Sequence, residues 1–325
     1  MAVLVTGGAG YIGSHMAYAL VDAAERVVVL DNLSTGVRAN VPADAVFVQG
    51  DVGDGALVRG LIAEHGVTAV IHFAGSVIVP ESIEKPLLYY ANNTQASLTL
   101  IAACVDMGVK QFIFSSTAAV YGLSDGLPIA EVAATDPISP YGRSKLLTEW
   151  ILRDAAAAHD FRYVALRYFN VAGADPKGRT GQSTPRATHL IKRAVEVAVG
   201  RAPQLDIFGG DYPTKDGSAV RDYIHVSDLV DIHRTALNHL RTNGSSQTFN
   251  CGYGRGTSVL EVAAALERVT GRRLQTSIRP RRPGDAPSLI ANADRLRDVL
   301  AWKPRHSSLD GIVKSAFDWE RKLKG

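Results

Sequence analysis

Cysteines are scarce in this sequence, and long apolar runs are missing from it. Only Cys104 and Cys251 occur among its 325 residues, so neither a disulfide framework nor a cysteine metal centre is indicated. The nine histidines show none of the spacings typical of metal ligands, and we expect no bound metal. No apolar run approaches the roughly 18 residues that a membrane-spanning helix needs, so no membrane partner is expected.

The sequence also lacks a large excess of either positive or negative charge. The 35 Lys and Arg residues and the 32 Asp and Glu residues leave a formal net charge of +3, with both signs spread along the chain. Proteins that bind nucleic acid usually carry a strongly basic surface, so we expect no nucleic acid partner. Residues 1–7 lack the basic start of a secretory signal, and a cytoplasmic location is the expectation.

What the sequence does contain is an alternation of short β-branched runs and helical patterns in its first half. Apolar strands separated by helices are typical of a parallel sheet covered on both faces, and right-handed crossovers favour a doubly wound order. The predicted fold class is therefore α/β with a doubly wound parallel sheet. The predicted strands are 3–6, 27–30, 46–49, 69–73, 112–115 and 163–168, and the predicted helices are 12–23, 55–65, 93–107 and 142–159.

A change of pattern near residue 170 predicts a second, smaller α/β domain. Gly, Pro and polar residues then concentrate in three loop-like stretches, 175–186, 209–218 and 279–287. We therefore predict one domain over 1–169 and another over 170–325. A strand–helix unit predicted near 219–241 could return to the first sheet, so the boundary need not be a single cut.

Three glycines mark a nucleotide-binding turn. Gly7, Gly10 and Gly13 follow the first predicted strand and open the first predicted helix. This is a variant of the Rossmann fingerprint, whose glycines let backbone N–H groups approach a pyrophosphate at a helix N-terminus. Asp31 ends the second strand, where a carboxylate accepts the ribose hydroxyls of NAD and repels the 2′-phosphate of NADP. The pattern predicts an NAD-binding Rossmann domain; the alternative for Asp31 is a turn formed with Asn32.

Two further segments lie at the carboxyl ends of predicted strands. Asp51 comes just after the third strand, and Phe73, Ala74 and Gly75 come after the fourth. Ligands bind at that edge of open α/β sheets. These residues are therefore candidates for adenine and ribose contacts, with ordinary loop packing as the alternative.

Tyr141 and Lys145 are four residues apart at the start of a predicted helix, which places both side chains on one face. A neighbouring ammonium and the positive charge of oxidised nicotinamide should lower the phenol's pKa from about 10 towards neutrality, so Tyr141 could take a proton from a sugar hydroxyl. Thr117 follows the fifth strand and could bridge Tyr141 and the sugar, with Ser116 as the competing hydroxyl. A solvated helix face and a strand-capping turn are the structural alternatives.

These motifs resemble those of the extended short-chain dehydrogenase/reductase family, and more closely those of its UDP-glucose 4-epimerases. The stretches that carry the resemblance are LVTGGAGYIGSH at 4–15, LDNLSTG at 30–36, VIHFAG at 70–75, FIFSSTAAVYG at 112–122, SPYGRSK at 139–145, LRYFNVAGA at 166–174, GGDYPTKDGSAVRDYIHV at 209–226 and RRPGD at 281–285. The first of these are shared by many sugar-nucleotide enzymes, whereas the stretches at 166–174 and 209–226 are more specific to the epimerases.

The resemblance implies tightly held NAD, a UDP-sugar substrate (UDP-glucose or UDP-galactose) whose C4 is inverted reversibly, and a homodimer formed through helices near 93–107 and 145–159. It also implies that Tyr141 is the base, Lys145 its partner and Thr117 the active-site hydroxyl. The residues predicted to contact the cofactor are Gly7, Gly10, Tyr11, Ile12, Asp31, Asn32, Asp51, Val52, Phe73, Ala74, Gly75, Asn92, Ser115, Tyr141, Lys145 and Tyr168. Those predicted to contact the substrate are Thr117, Tyr141, Asn170, Leu190, Arg221, Arg282, Asp285 and Leu289.

Two positions depart from or refine the family pattern. Val77 stands where many members have a lysine that contacts the cofactor, so the tightness of NAD binding is left open. Leu289 lies four residues after Asp285, at the position that lines the family's pocket beside the sugar's 2-substituent. Leucine is intermediate in volume, so we expect a preference for UDP-glucose and UDP-galactose over UDP-N-acetylglucosamine.

The sequence is compatible with other interpretations. A nucleotide-sugar 4,6-dehydratase of the same fold would carry an Asp-Glu pair where this chain has Ala118 and Ala119, which cannot transfer protons. A non-catalytic, NAD-sensing protein would commonly lose the Tyr141–Lys145 pair. UDP-N-acetylglucosamine and UDP-pentoses share the chemistry, and a catabolic role is not separated from a role in polysaccharide synthesis.

Overall fold

The computed structural model describes residues 1–123, 128–184, 187–282 and 285–323. The chain divides into two compact units. The first unit comprises Met1–Gly122, Ala134–Tyr168 and Val230–Phe249, and the second comprises Leu123–Ala133, Phe169–Leu229 and Asn250–Gly325. The chain therefore passes between the units several times, and residues 230–241 of the predicted strand–helix unit near 219–241 lie in the first unit.

Strands and helices alternate regularly in the first unit and are shorter and less regular in the second. The strands are β1 (Ala2–Thr6), β2 (Arg26–Asp31), β3 (Val46–Gln49), β4 (Val67–His72), β5 (Gln111–Thr117), β6 (Arg162–Tyr168), β7 (Asn170–Ala172), β8 (Leu205–Phe208), β9 (Val220–Arg221), β10 (Tyr223–His225), β11 (Gln247–Cys251), β12 (Thr257–Ser258), β13 (Thr276–Arg279) and β14 (Ser288–Leu289). The helices are α1 (Tyr11–Asp22), α2 (Gly55–His65), α3 (Val79–Glu84), α4 (Pro86–Tyr89), α5 (Ala96–Asp106), α6 (Pro140–Ala158), α7 (Leu190–Ala198), α8 (Val226–Arg241), α9 (Val259–Thr270), α10 (Asp294–Leu300) and α11 (Leu309–Lys322). A π-helical turn at Tyr90–Gln95 precedes α5, and single 3₁₀ turns lie at Arg38–Asn40 and Ala118–Val120.

The central sheet has seven strands in the order β11–β6–β5–β4–β1–β2–β3. The pairs that join β1 to β6 are all parallel, and the strand order reverses between β1 and β4. Doubly wound sheets bind ligands at such a switch point, at the carboxyl ends of the strands. The predicted α/β, doubly wound fold class is confirmed.

The core of the first unit packs central strands against α2, α5 and α6. Leu4 and Phe112 from the sheet join Leu61, Leu100 and Leu152 from these three helices, and each of the five is at most 5% exposed. Strand β1 is buried along its whole length, as expected for a central strand of a covered parallel sheet. This packing fixes the second half of α6 against the sheet.

The second unit has a separate core formed by three amphipathic helices. Ile191 in α7, Leu266 in α9 and Ile312 in α11 are buried together, while its strands form sheets of only two or three strands. No helix in the described part of the chain combines the length and apolar character needed to cross a bilayer.

The strand that returns to the central sheet is not the one the sequence predicted. Residues 220–226 contain two short strands, of which β9 pairs with β12 and β14, and β10 pairs with β7. The outer strand of the central sheet is instead β11, beside β6. Its sequence, QTFNC, mixes polar and apolar residues, so no continuous apolar run indicated a strand at this position.

Candidate active site

The turn between β1 and α1 is built from glycines that approach other backbone closely. Gly7 has a φ of +66°, and a Cβ there would lie 2.6 Å from the backbone nitrogen of Ala74. A Cβ on Gly13 would lie 2.2 Å from the Gly7 carbonyl oxygen. Gly10 caps α1 without a side chain, so the N–H groups of the first helical turn can face a phosphate. These residues fit the pyrophosphate of a dinucleotide.

The carboxylate of Asp31, at the end of β2, is buried and oriented by two backbone donors. The N–H of Ala9 donates to Oδ2 at 2.9 Å, and the N–H of Leu33 donates to Oδ1 at 2.8 Å. Each oxygen keeps a further lone pair that a ribose hydroxyl can use. Asn32 beside it is exposed, and its Nδ2 donates to Oδ2 of Asp51 at 2.8 Å, so both predicted carboxylates lie at the same edge of the sheet.

The segment after β4 lies against the glycine turn, as the parallel sheet requires. The N–H of Phe73 donates to the Thr6 carbonyl at 3.0 Å, which holds Ala74 close to Gly7. Gly75 is exposed with a φ of +152°. Of the other predicted cofactor residues in the first unit, Tyr11 and Ile12 open α1, whereas Val52 is buried in the core.

Thr117, Tyr141 and Lys145 come together at the carboxyl end of β5. This strand runs through Thr117, two residues beyond its predicted end, and the Thr117 hydroxyl forms a hydrogen bond with the Tyr141 phenol. The Thr117 oxygen also accepts from the N–H of Ala119 at 3.1 Å. Nζ of Lys145 donates to the Ser115 carbonyl at 3.1 Å. The three residues predicted to carry the chemistry are therefore adjacent.

The start of helix α6 is fixed by local capping residues, and it places Tyr141 and Lys145 at the carboxyl edge of the sheet. Ser139 is its N-cap and accepts a hydrogen bond from the N–H of Gly142 at 3.2 Å, and Pro140 occupies the first helical position, where its missing N–H costs nothing. Both signals are local, which is why the sequence placed this helix start within two residues.

Burial affects the two titratable residues of the site in opposite directions. It raises the pKa of Tyr141, and the hydrogen bond with Thr117 offsets part of that increase. It lowers the pKa of Lys145 to about 8. The lowered Tyr141 pKa expected from the sequence is therefore not produced by the protein alone, because desolvation of the phenolate outweighs its partners. The positive charge of an oxidised nicotinamide is what remains to lower it.

Ser116, the competing hydroxyl, does not face Tyr141 in this way. Its Oγ donates to Oε1 of Glu149, within a buried polar cluster on the neighbouring strands. The fold therefore places the hydroxyl of Thr117, and not that of Ser116, next to the phenol of Tyr141.

Asn93, which no sequence motif marked as a site residue, connects the loop after β4 to α6. Its Nδ2 donates to the Ser144 hydroxyl and to the Ser76 carbonyl, both at 3.0 Å, and its Oδ1 accepts from the N–H of Ser76 at 2.7 Å. It lies in the π-helical turn, a feature frequent at functional sites. Asn92 beside it is exposed, and its Nδ2 donates to the Ser76 hydroxyl at 3.1 Å.

A second missed residue comes from α8. The ring of His233 lies 4.8 Å from that of Phe73, and its Nε2 is 3.3 Å from Oγ of Ser115. Both neighbours are predicted cofactor residues, and Tyr168, a third, lies opposite Thr117 across β5 and β6. No local signal links His233 to residues more than one hundred positions away, so only the fold reveals the contact.

In the second unit, several predicted substrate residues lie on adjoining strands. Arg221 in β9 pairs in register with Leu289 in β14, and its guanidinium contacts the carboxylate of Asp285. Asn170 begins β7, and its N–H donates to the Asp222 carbonyl at 3.0 Å. A buried, paired arginine of this kind suits a diphosphate.

Two further predicted substrate residues lie on other elements of the second unit. Arg282 is exposed, with its guanidinium 3.8 Å from the centre of the Phe208 ring, and the next two residues of its motif, 283 and 284, lie outside the described residues. Leu190 begins α7 and packs against the core of this unit. Its neighbour His189 is the N-cap residue, and burial lowers its pKa.

The cysteines take no part in this geometry. Cys104 and Cys251 are both buried and are not joined in a disulfide bond. Burial raises the pKa of Cys104 to about 12. Across the described residues, no group of three His, Cys, Asp or Glu side chains is arranged to hold a metal ion.

Comparison with known proteins assigns this geometry to a family. Residues 3–252 match the model of the NAD dependent epimerase/dehydratase family. The chain belongs to that family. It is 58% identical over 322 residues to the UDP-glucose 4-epimerase of Azospirillum brasilense, with 99% of this chain and 92% of the relative covered.

Solved structures of epimerases show the same likeness. A UDP-glucose 4-epimerase from Brucella ovis in complex with NAD is 45% identical, with a TM-score of 0.95 and 97% of each chain covered. One from Bifidobacterium longum in complex with NAD⁺ and UDP is 38% identical, with a TM-score of 0.93 and 100% of this chain and 99% of that chain covered. The NAD cofactor of this epimerase/dehydratase family agrees with the glycine turn and Asp31.

Proposed function

We propose that this chain is an isomerase that interconverts UDP-glucose and UDP-galactose by reversible inversion at C4, with NAD regenerated in each turnover. The observation that carries the proposal is the hydrogen-bonded Thr117–Tyr141 pair, with Lys145 one helical turn further on, at the carboxyl edge of a sheet that begins with a dinucleotide-binding turn. The relatives described above, which are UDP-glucose 4-epimerases, support the same reaction.

The chemistry divides between cofactor and side chains. NAD, when bound, would supply the acceptor and donor of a hydride at C4 of the sugar. Tyr141 takes the proton of the 4-hydroxyl group and later returns it, and Thr117 orients that hydroxyl group next to the phenol. Burial lowers the pKa of Lys145 to about 8, so this residue is still mostly protonated at pH 7. It is the proposed partner of Tyr141, while the positive charge of oxidised nicotinamide would favour the phenolate.

The second unit carries the residues that we propose hold the UDP moiety of the substrate. Arg221 and Arg282 are the proposed diphosphate ligands, since guanidinium groups bind phosphate oxygens through two parallel hydrogen bonds. Asp285 orients the Arg221 fork, and Leu289 lies beside Arg221 on the adjacent strand. Asn170 and Leu190 are the further proposed substrate contacts.

A nucleotide-sugar dehydratase is less well supported. That reaction needs an acid–base pair after the threonine to remove a proton from C5 and to protonate the leaving hydroxyl group. Ala118 and Ala119 occupy those positions in a single 3₁₀ turn, and neither side chain can transfer a proton.

We also propose that the chain forms a homodimer through α5 and α6. These helices pack against each other in the first unit, and they carry the large apolar side chains Leu98 and Trp150, which are 49% and 45% exposed. Exposed apolar side chains on packed helices suit a helix–helix interface. Sedimentation of a Leu98→Glu/Trp150→Glu variant should then give monomers.

A cytoplasmic location stays a prediction from the sequence.

The test of the function is incubation of the purified protein with UDP-glucose, without added NAD, followed by product analysis. UDP-galactose is the expected product, and a denatured sample should release NAD. Mainly NADP in that sample would contradict the role of Asp31. A requirement for added NAD would point to Val77, which is 51% exposed and stands where the family resemblance predicts a lysine. Parallel reactions with UDP-N-acetylglucosamine and UDP-pentoses test the alternative sugars.

A further inference from the structure

A buried ion pair adjoins the proposed catalytic residues of the first unit. Glu149 in α6 and Arg167 in β6 have side chains only 6% and 8% exposed. Three hydrogen bonds join them: Nε of Arg167 donates to Oε1 of Glu149 at 3.0 Å and to Oε2 at 3.2 Å, and Nη2 donates to Oε2 at 2.6 Å. Ser116 in β5 donates to the same carboxylate. The Glu149 carboxylate therefore connects one helix with two neighbouring strands.

The strand partners of this carboxylate lie one residue before two residues of the proposed site. Ser116 and Arg167 face each other in register across β5 and β6, and the next pair along the two strands is Thr117 and Tyr168. A shift of either strand relative to the helix would therefore move the site residues by the same distance.

Glu149, the member of the ion pair that lies in α6, is also close to the proposed catalytic residues. Glu149 lies one turn of α6 after Lys145 and two turns after Tyr141, so all three side chains lie on one inward face. The hydrogen bonds of Glu149 therefore connect this face of α6 to Ser116 in β5 and Arg167 in β6.

Arg167 also holds the chain where it leaves Thr117. Its Nη1 donates to the hydroxyl of Tyr121 at 3.0 Å, and its guanidinium carbon lies 4.9 Å from the centre of the Tyr121 ring. Tyr121 directly follows the 3₁₀ turn Ala118–Val120. One guanidinium group thus contacts both the helix and the loop that flank the Thr117–Tyr141 hydrogen bond.

We propose that Glu149, Arg167 and Ser116 position α6 against β5 and so determine the distance between the Tyr141 phenol and the Thr117 hydroxyl. A forked Arg–carboxylate pair satisfies all its hydrogen bonds in one arrangement, whereas apolar contacts can be repacked with small shifts. A buried charge left unpaired is costly, so registers of the helix that break the pair are excluded. The kinetic part of the test below rests on the proposed function.

The decisive variant is the double substitution Glu149→Leu/Arg167→Met, which removes both charges and leaves neither unpaired. We expect a folded protein with NAD still bound and an unchanged KM, but with kcat lowered at least ~10-fold, because small errors in catalytic geometry have large effects on rate. The ionisation of Tyr141, followed by ultraviolet difference absorbance against the same protein carrying Tyr141→Phe, should move to higher pH.

The control is a buried cluster in the second unit, in which Glu320 pairs with both Lys192 and Arg201; the side chains of Lys192 and Glu320 are 9% and 1% exposed. The variant Lys192→Met/Arg201→Met/Glu320→Leu, which removes all three charges, should change thermal stability and leave kcat and the Tyr141 titration unaltered. An equal loss of kcat in this control, or a wild-type kcat in a folded Glu149→Leu/Arg167→Met protein, would overturn the proposal.

If the double variant does not fold, a single substitution still tests whether the ion pair positions the helix. Ser116→Ala removes a single hydrogen bond to the carboxylate and should lower kcat about 3-fold with unchanged KM; no change would overturn the proposal. If the wild-type protein turned over no UDP-sugar at all, the proposed function would fail instead. The Tyr141 titration, which needs no substrate, would then still decide whether the ion pair positions the phenol.

Discussion

The two units place their candidate residues by different means. In the first unit, Thr117 ends a strand of seven residues, and Tyr141 and Lys145 lie in a helix of 19 residues. In the second unit, Arg221 and Leu289 lie on strands of two residues each. Long elements packed on one core give precise geometry for proton transfer, whereas short strands and loops can vary to suit the ligand.

The polar contacts that support the residues differ in the same way. In the first unit His72 is fully buried between the Thr6 hydroxyl at 2.7 Å and the Ser97 hydroxyl at 2.8 Å. In the second unit the side chains of Arg221 and Asp285 remain 11% and 29% exposed. We therefore expect changes in the first unit to act on kcat and stability, and changes in the second to act on KM and substrate choice.

The sharpest test of this division is Tyr141→Phe. It should lower kcat at least ~100-fold, since general acid–base groups contribute factors of this size, and leave UDP-sugar affinity nearly unchanged. Steady-state kinetics and equilibrium binding measure the two effects. Tyr163→Phe, a buried tyrosine in the same unit, serves as the control. A Tyr141→Phe protein with more than a tenth of wild-type kcat would contradict the assignment.

The next largest expected effect is on the free energy of unfolding in acid. Burial and the nearby charge of Lys145 lower the pKa of His72 to about 3, so below pH 6.5 the unfolded chain binds a proton that the folded chain does not. This destabilises the wild-type protein by about 2 kcal/mol between pH 7 and pH 5. Urea unfolding at the two pH values should therefore show that the stability difference between wild type and His72→Gln narrows by that amount in acid.

An exposed histidine provides the control for that measurement. His159→Gln, at the end of α6, should follow the pH dependence of the wild-type protein. A difference between wild type and His72→Gln that stayed constant from pH 7 to pH 5 would show that His72 does not titrate as its burial requires.

In the second unit, Arg221→Lys should raise the KM for UDP-glucose about tenfold and change kcat little, because lysine keeps the charge and loses the forked hydrogen bonds. Arg179→Lys is a suitable control, since Arg179 is also paired, with Nε 2.8 Å from Asp175 Oδ2. A lower kcat at unchanged KM would place Arg221 with the chemistry and remove the proposed division between the units.

The smallest expected effect is on substrate choice. Leu289→Ser should raise kcat/KM for UDP-N-acetylglucosamine relative to UDP-glucose by ~5-fold, because the added volume relieves a clash that only the larger sugar meets. Leu289→Met, with a side chain of similar volume, should leave the ratio as it is. An unchanged ratio in the serine variant would mean that Leu289 does not limit the size of the sugar.

Much of the first unit could be predicted because its signals are local. Strand β3 and helix α2 lie at the residues that the apolar pattern indicated. Asp54 caps α2 with hydrogen bonds from two N–H groups, and Gly66 ends it with a φ of +61°. The spacing of Tyr141 and Lys145 is likewise a property of one helix, so their shared face followed from the sequence.

The sequence by itself determined the α/β class, the NAD-binding turn and the Tyr141–Lys145 pair, since each depends on residues within one or two adjacent elements. Only the tertiary structure decided that β11 closes the edge of the sheet, that His233 lies beside Phe73, and that Ser116 is bound to Glu149. It also reversed the expected pKa shift of Tyr141 in the protein alone. All of these depend on burial and on partners far away in the chain, and local residue patterns contain no information about either.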